Sequence, residues 1–490
     1  MKFSSSSWLH VLTQWLRDGC SRASSLMDTT LDVCASSSIS TLITLTGASM
    51  MALTFRRRAM KRAWKQSRTE PRRIVEEPLL RSHEYMVLFY NRNSNRNMGQ
   101  ILAQWIPRYL GHNVHCFPLD PENVEGGIRM VDQLHQQTRA LLQGSTPSNS
   151  TNKYGGSTGV KVVVAGGDGS VCWILQKLAE EHLSHIPCAI IPLGTGNDLS
   201  FVLGWGSQAP NLHDFLTEKH MRKWVRRLRA ATVVGTDVWR VDFGVRADND
   251  GWITQVKGGK AVKSSSKTES CLCVNYSSLG LDARLVYDVE MYRTSWRFLN
   301  KIIYAIAGAV RSLIPYSPVS SEIASLKLNG TPVDPFALGT LQNIIALSVP
   351  SYAGGVPLWK LAEHLDKKYY EKLYVRFPDC VANPDNPLPA SQDTQNSSES
   401  NISQHRQSDG NFELVGAHTL AQLGAAVGCE KPVFGGVFRL ARAESIYVEF
   451  LTGTTSPMYL QVDGEAYILH HPEFFEMKWE QQASLLRCMG

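Results

Sequence analysis

From residue 84 onward the hydrophobic positions follow two rhythms in turn. Tyr85 to Tyr90 (YMVLFY) is an unbroken apolar run of strand length, closed off by the polar NRNSNRN. Ile101 to Leu110 repeats apolar residues at helical spacing, and Asn113 to Leu119 again reads as a short strand. The alternation returns with Val160 to Ala165 as a strand, Val171 to His182 as a helix and Cys188 to Pro192 as a buried strand. A strand that is apolar at every position has both faces covered. Residues 84–235 are therefore expected to form an α/β domain, a parallel sheet with helices on both sides. Gln143 to Gly159 (QGSTPSNSTNKYGGSTG) has no such rhythm and reads as a mobile loop.

From about Asp237 the rhythm changes to separate strand-length segments: 238–245, 271–277, 325–329, 344–349, 374–377, 437–440, 445–451 and 458–462. A β-rich second domain with few helices is expected over 236–475. Two polar, turn-rich insertions, 246–270 and 382–411, read as mobile loops, and 476–490 as a C-terminal tail.

Composition alters this picture only at the N-terminus. The chain carries 50 Lys+Arg against 44 Asp+Glu, a net +6, with 43% hydrophobic residues. That is ordinary globular composition and excludes wholesale disorder, collagen and a polytopic membrane protein. Between Arg56 and Arg73, however, nine basic residues face one acid, so this run alone exceeds the charge of the whole chain. The remainder is near neutral, and no nucleic-acid partner is expected. Just before the run, Ile39 to Phe55 is 17 residues without charge but diluted by Ser and Thr, short of the roughly 20 that a spanning helix needs. Three readings of the Ser-rich stretch 1–80 stay open: a membrane anchor, a helix lying on an anionic lipid surface through 56–73, and a disordered or targeting leader. The expected location is a cytosolic catalytic part associated with membrane. The ten cysteines show no paired CxxC and no zinc-ligand spacing.

Two glycine turns carry the candidate chemistry. Gly166-Gly167-Asp168-Gly169-Ser170 lies between a strand and a helix, where glycines let the backbone approach an anion and the helix N-terminus offers unpaired N–H groups. Asp168 is placed to act on a metal ion or on an acceptor proton, unless it merely caps the helix. About 24 residues on, Leu193-Gly194-Thr195-Gly196-Asn197-Asp198 repeats the arrangement. Two such turns at successive strand ends would line one crevice, where open α/β sheets bind ligands.

VVVAGGDGSVCWIL followed by IPLGTGNDLSFVLGWG resembles the catalytic domain of the diacylglycerol kinases, which move the γ-phosphoryl of ATP to the hydroxyl of 1,2-diacylglycerol to give phosphatidic acid and ADP. NYSSLGLDA (275–283), RFLNKIIY (297–304), VPSYAGGVPLW (349–359) and QVDGE (461–465) resemble that family's accessory half, in order, so the likeness spans about residues 84–470. It implies a two-domain lipid kinase and NAD kinase-like architecture, with ATP and Mg²⁺ as cofactors and membrane diacylglycerol as partner. By the same resemblance, Gly166, Gly167, Gly169 and Ser170 form the nucleotide loop. Thr195, Gly196, Asn197 and Asp198 add nucleotide or metal contacts, as do Asn91 and Ser94 from the first turn. Asp168 and Asp463 serve the metal and catalysis, and Glu465 is the general base for the lipid hydroxyl.

The chain departs from that family in its first turn. Asn91-Arg92-Asn93-Ser94-Asn95 stands where the family has an Asn-Pro-Lys-Ser-Gly turn, with Arg92 or Arg96 left to supply the positive charge. Cysteine-rich zinc modules and EF-hand loops are absent from the sequence. Two other readings compete: a sphingoid-base or ceramide kinase of the same superfamily, and a catalytically silent membrane-bound scaffold. Asp198 argues against the first, and the intact GGDGS, GTGND and DGE turns argue against the second.

Overall fold

The computed structural model describes residues 79–143, 159–362 and 408–488, apart from 93, 96, 195, 249, 258, 293–296, 313, 315, 430–436 and 455. The leader, the segment 39–55, the basic run 56–73, the strand expected at 374–377 and most of the insertion 382–411 lie outside these residues. Among the described residues no helix is long and apolar enough to cross a membrane.

The N-terminal half begins with β1 (Tyr85–Tyr90), α1 (Met98–Leu110), β2 (Val114–Pro118) and α2 (Pro121–Gln143). It continues with β3 (Val160–Gly166), α3 (Asp168–Glu180), β4 (Cys188–Pro192), the single-turn α4 (Asp198–Val202) and α5 (Glu218–Ala230). The strands β2, β1, β3 and β4 pair in parallel in that order, as the unbroken apolar runs predict. Every residue of β4 is buried. Because the strands are parallel, their C-terminal ends share one edge, and the turns beginning at Asn91, Gly167 and Leu193 all leave from it.

The second half comprises β5 (Thr232–Val245), β6 (Trp252–Lys257), β7 (Lys260–Lys263), β8 (Thr268–Cys273) and β9 (Tyr276–Gly280), followed by α6 (Leu281–Tyr292) and α7 (Arg297–Ser312). Then come β10 (Ile323–Leu328), β11 (Thr331–Val333), β12 (Asn343–Leu347), β13 (Phe412–Ala417), α8 (Leu420–Cys429) and β14 (Val437–Ala443). The chain closes with β15 (Ser445–Phe450), β16 (Met458–Val462), β17 (Glu465–His470) and β18 (Pro472–Arg487). One antiparallel sheet runs β14-β13-β12-β9-β16-β17-β6-β7. Along β12 the side chains alternate between two cores. Ile344 and Ala346 face the space between the sheets with Trp239, Phe243 and Phe412, whereas Ile345 and Leu347 face a smaller core with Leu281, Trp359 and Leu423. A strand sandwiched in this way is apolar from Ile344 to Leu347, although its sheet is antiparallel.

Three expectations are corrected. The region 246–270 is not a mobile loop: it forms the β6–β7 hairpin and the start of β8, anchored by the fully buried Ile253. The strand expected at 271–277 breaks after Cys273 and resumes at Tyr276, in the other sheet. The stretch expected as a tail from 476 is not one as far as it is described, to 488, because β18 pairs with β5 along its whole length. Its other edge meets β15 in its first half and β4 at Leu485. Ala483, Leu485, Leu486 and Cys488 belong to the core of the N-terminal half. The parallel sheet is thereby continued by antiparallel strands, and the boundary at 235/236 does not separate two independent sheets.

Candidate active site

The two glycine turns lie against each other. A Cβ added to Gly194 would stand 2.5 Å from the Cα of Gly167, and one added to Gly167 would stand 3.0 Å from the Cα of Gly194. These glycines are required first by turn-to-turn packing. Gly166 is tight against Ser170, where a Cβ would meet the Ser170 Cβ at 2.6 Å. By contrast Gly169 and Gly196 are exposed, and a Cβ on either would find room. Gly167 is the N-cap of α3 and no side chain closes that end, so the N–H groups of the first turn at Asp168, Gly169 and Ser170 are available to an anion.

The second turn is built differently. Asp168 Oδ2 accepts the N–H of Asp198 at 2.8 Å, so Asp168 caps α4 rather than its own helix. Asn197 is buried and closes its own turn: its Oδ1 accepts the Gly194 N–H at 3.0 Å, and its Nδ2 donates to the carbonyls of Gly194 (3.1 Å) and Ser207 (2.8 Å). Asp198 is buried as well. Its oxygens accept the N–H groups of Gly354 (2.9 Å) and Gly355 (3.1 Å) and the Ser351 hydroxyl. These partners belong to the SYAGG turn, so Asp198 ties the catalytic half to the accessory half. Thr195 lies outside the described residues.

The first turn reaches the same edge through the Asn91 N–H, which bonds the carbonyl of Ala165 at 3.0 Å. It does so without Pro or Gly because Asn95 (φ 44°) and Asn97 (φ 65°) adopt the left-handed conformation that Asn tolerates. Ser94 sits inside this turn and its carbonyl accepts the Met98 N–H at 3.1 Å. Arg92 pairs with Asp120 at 3.5 Å on the surface, and Arg96 lies outside the described residues.

From the accessory half, the β16–β17 turn delivers two carboxylates with opposite fates. Asp463 accepts the backbone N–H groups of Val274 (2.8 Å), Asn275 (2.8 Å) and Tyr276 (3.1 Å), and so shapes the break between β8 and β9. Glu465 is exposed. Its Oε2 accepts from Gln255 Nε2 at 3.0 Å and the Tyr467 hydroxyl at 3.3 Å, and its Oε1 would be 3.8 Å from a Cβ placed on Gly169. The acid of the second half therefore stands beside the GGDGS turn of the first.

Electrostatics distinguish these carboxylates. Burial pushes the Asp168 carboxyl well above the usual range, and the neighbouring charges of Asp198 and Asp463 add to it. Its Oδ1 is buried with no hydrogen-bond partner. Burial raises Asp198 too, against the pull of Ser351, Gly354 and Gly355. Asp463 is pushed up to about 6 by burial, opposed by its three backbone donors.

Two clusters went unassigned in the sequence. Ser351, Gly354 and Gly355 fall in a motif that carried no role, and Gln255 falls in a region read as a loop. Asp282 of the SLGLDA motif is buried and accepts from Ser278 (2.7 Å), Tyr352 (2.6 Å) and Gln461 (2.7 Å), joining the SYAGG and QVDGE turns behind the site.

A family model for the diacylglycerol kinase catalytic domain matches residues 85–228, and one for the diacylglycerol kinase accessory domain matches residues 272–466. Diacylglycerol kinase 5 of Arabidopsis thaliana is 25% identical over 426 residues, covering 78% of this chain and 72% of that protein. Probable diacylglycerol kinase 3 of Caenorhabditis elegans is 24% identical over 336 residues, 66% of this chain and 37% of that protein. Diacylglycerol kinase iota of Mus musculus is 27% identical over 314 residues, 62% of this chain and 26% of that protein. The chain thus spans well under two thirds of the worm and mouse proteins. With both domain models matched in order over more than half of its length, the chain belongs to the diacylglycerol kinase family.

Proposed function

We propose that this chain is an ATP-dependent lipid kinase that transfers the γ-phosphoryl group to the free hydroxyl of 1,2-diacylglycerol, giving phosphatidic acid and ADP. The observation that carries the reading is the approach of Glu465 Oε1, from one half, to Gly169 of the phosphate turn in the other. The open N-terminus of α3 receives phosphate oxygens through backbone N–H groups. Glu465 takes the proton of the attacking hydroxyl through Oε1, since Oε2 is already engaged. The turns at Asn91 and Ser94 and at Gly196 and Asn197 complete the walls around the nucleotide. This division of labour supports a lipid kinase and NAD kinase-like arrangement, in which an acid from an antiparallel half meets a nucleotide on a parallel sheet.

The family implies Mg²⁺. The described residues contain no group of three or more His, Cys, Asp or Glu placed to cage an ion. Asp168 does present a desolvated carboxylate with a buried, unpartnered oxygen and like charges nearby, which suits one anchor of an ion otherwise held by phosphate oxygens and water. Asp463, with both oxygens committed to backbone donors, supports the site's shape rather than the ion. Bound there, the ion would neutralise charge on the transferring phosphoryl group.

The basic run 56–73 supports a cytosolic catalytic part held at anionic membrane, worth about 1 kcal/mol per cation near the surface. The decisive experiment gives the full chain γ-labelled ATP with diacylglycerol, ceramide or sphingosine in mixed micelles. Diacylglycerol should be labelled far faster than the others, and equal labelling of ceramide would reject the substrate. Glu465→Gln should lower kcat by roughly 10²–10⁴-fold with the KM for ATP unchanged.

A further inference from the structure

Glu465 is exposed and follows Gly464 in a tight turn, so nothing about its own position restrains its long side chain. The restraint comes from the neighbouring strand. Tyr467 lies two residues along β17 and so emerges on the same face as Glu465. Gln255 of β6 stands directly opposite Tyr467 in the antiparallel register. Cross-strand pairs of this kind bring side chains into contact. The Gln255 amide nitrogen donates to Glu465 Oε2 and to the Tyr467 hydroxyl oxygen, both at 3.0 Å, and the Tyr467 hydroxyl lies 3.3 Å from the same Oε2. Both donors converge on one carboxylate oxygen, and the other oxygen is the one beside Gly169.

We infer that Gln255 and Tyr467 are positioning residues that clamp Oε2 of Glu465 and thereby aim Oε1 at the hydroxyl to be phosphorylated. The inference deepens the proposed function and rests on Glu465 acting as base. It assigns a role to the β6–β7 hairpin, since Gln255 lies between the two matched family stretches and Tyr467 lies just beyond the second. The hairpin is firmly held: Ile253 is fully buried, Trp252 stacks on His470 with ring centroids 4.0 Å apart, and Lys263 caps Trp252 at 4.8 Å. A base displaced by about 1 Å loses on the order of 10²-fold in rate, so the clamp is read in turnover and not in binding.

The test uses the full chain with diacylglycerol micelles. Gln255→Leu should lower kcat about 10–100-fold, with the KM for ATP and the melting temperature unchanged. Tyr467→Phe, which keeps the ring, should give a smaller drop of the same kind. In a Glu465→Gln background, Gln255→Leu should add nothing, because there is no base left to aim. A Gln255→Leu enzyme with full turnover, beside a crippled Glu465→Gln enzyme, overturns the clamp and leaves the base standing. An equal loss from Gln255→Leu in both backgrounds also overturns it, placing Gln255 elsewhere in the mechanism. Full activity of Glu465→Gln removes the base itself, and the clamp with it.

Discussion

The catalytic and accessory halves each bring two carboxylates to the candidate site, and in each half the two are used differently. In the catalytic half Asp198 has its oxygens filled by Ser351, Gly354 and Gly355, whereas Asp168 keeps Oδ1 buried without a partner. In the accessory half Asp463 is filled by three backbone N–H groups, whereas Glu465 holds Oε1 toward Gly169 of the GGDGS turn. One acid of each pair builds the site and the other is left able to act in it. Acids that look equivalent in neighbouring turns are thus separated by whether backbone donors have already claimed their oxygens.

Substitutions can break that comparison, beginning with the largest effect. Asp463→Ala leaves three N–H groups without an acceptor; relief of its buried charge offsets part of that, and a net loss of about 3 kcal/mol of stability is expected, read by chemical denaturation. A soluble, fully stable Asp463→Ala protein would remove its structural role. Asp168→Asn should behave in the opposite way. It keeps an acceptor for the Asp198 N–H and removes a charge that burial disfavours, so melting should hold or rise. Turnover should nevertheless fall at least ~100-fold, about 3 kcal/mol of barrier. A coincident loss of stability and activity would erase the distinction between the two acids.

Asp198→Ala probes the tie between the halves. A net loss of about 2 kcal/mol is expected, since relief of a buried charge offsets part of the lost hydrogen bonds, and exchange of the Gly354 and Gly355 amides should accelerate. Unchanged exchange at those amides would place the tie elsewhere. The smallest effect sharpens the contrast by its pH dependence. Arg229 binds Glu84 through two nitrogens and holds it down to about 2 from an ordinary 4.5. The unfolded chain binds this proton more readily, so the pair stabilises the fold above about pH 4.5 and the contribution disappears as pH falls through 2. Glu84→Gln should cost roughly 1–2 kcal/mol at neutral pH after solvent screening, vanishing in strong acid. Asp463, raised from an ordinary 3.8 to about 6, has the reverse sign: its contribution to stability falls as pH rises from about 4 through 6. Denaturation curves from pH 2 to 8 would separate the two.

Legibility followed the same physical divide. The strands β1, β3 and β4 were visible because burial on both faces demands apolar residues at every position, a local signal. The strand β18 was not: its PEFFEMKWEQQASLLR mixes charge into a half-exposed pattern, and it is recruited by β5, more than 200 residues earlier. The hairpin WITQVK and KAVK reads as a polar insertion until β17 pairs with it. The glycine turns were recognisable, but their glycines answer to each other's backbone, which neither motif discloses.

Taken alone, the order of residues determined the parallel sheet, the two glycine turns at its edge, the basic run 56–73 and the set of acids open to chemistry. Only the tertiary structure decided which acids remain free. That choice depends on donors about 150 to 190 residues away along the chain, brought together by the sheets, and on the hairpin that clamps Glu465 from across β17. An oxygen's availability belongs to its surroundings, and those surroundings exist only once the two halves have closed on each other.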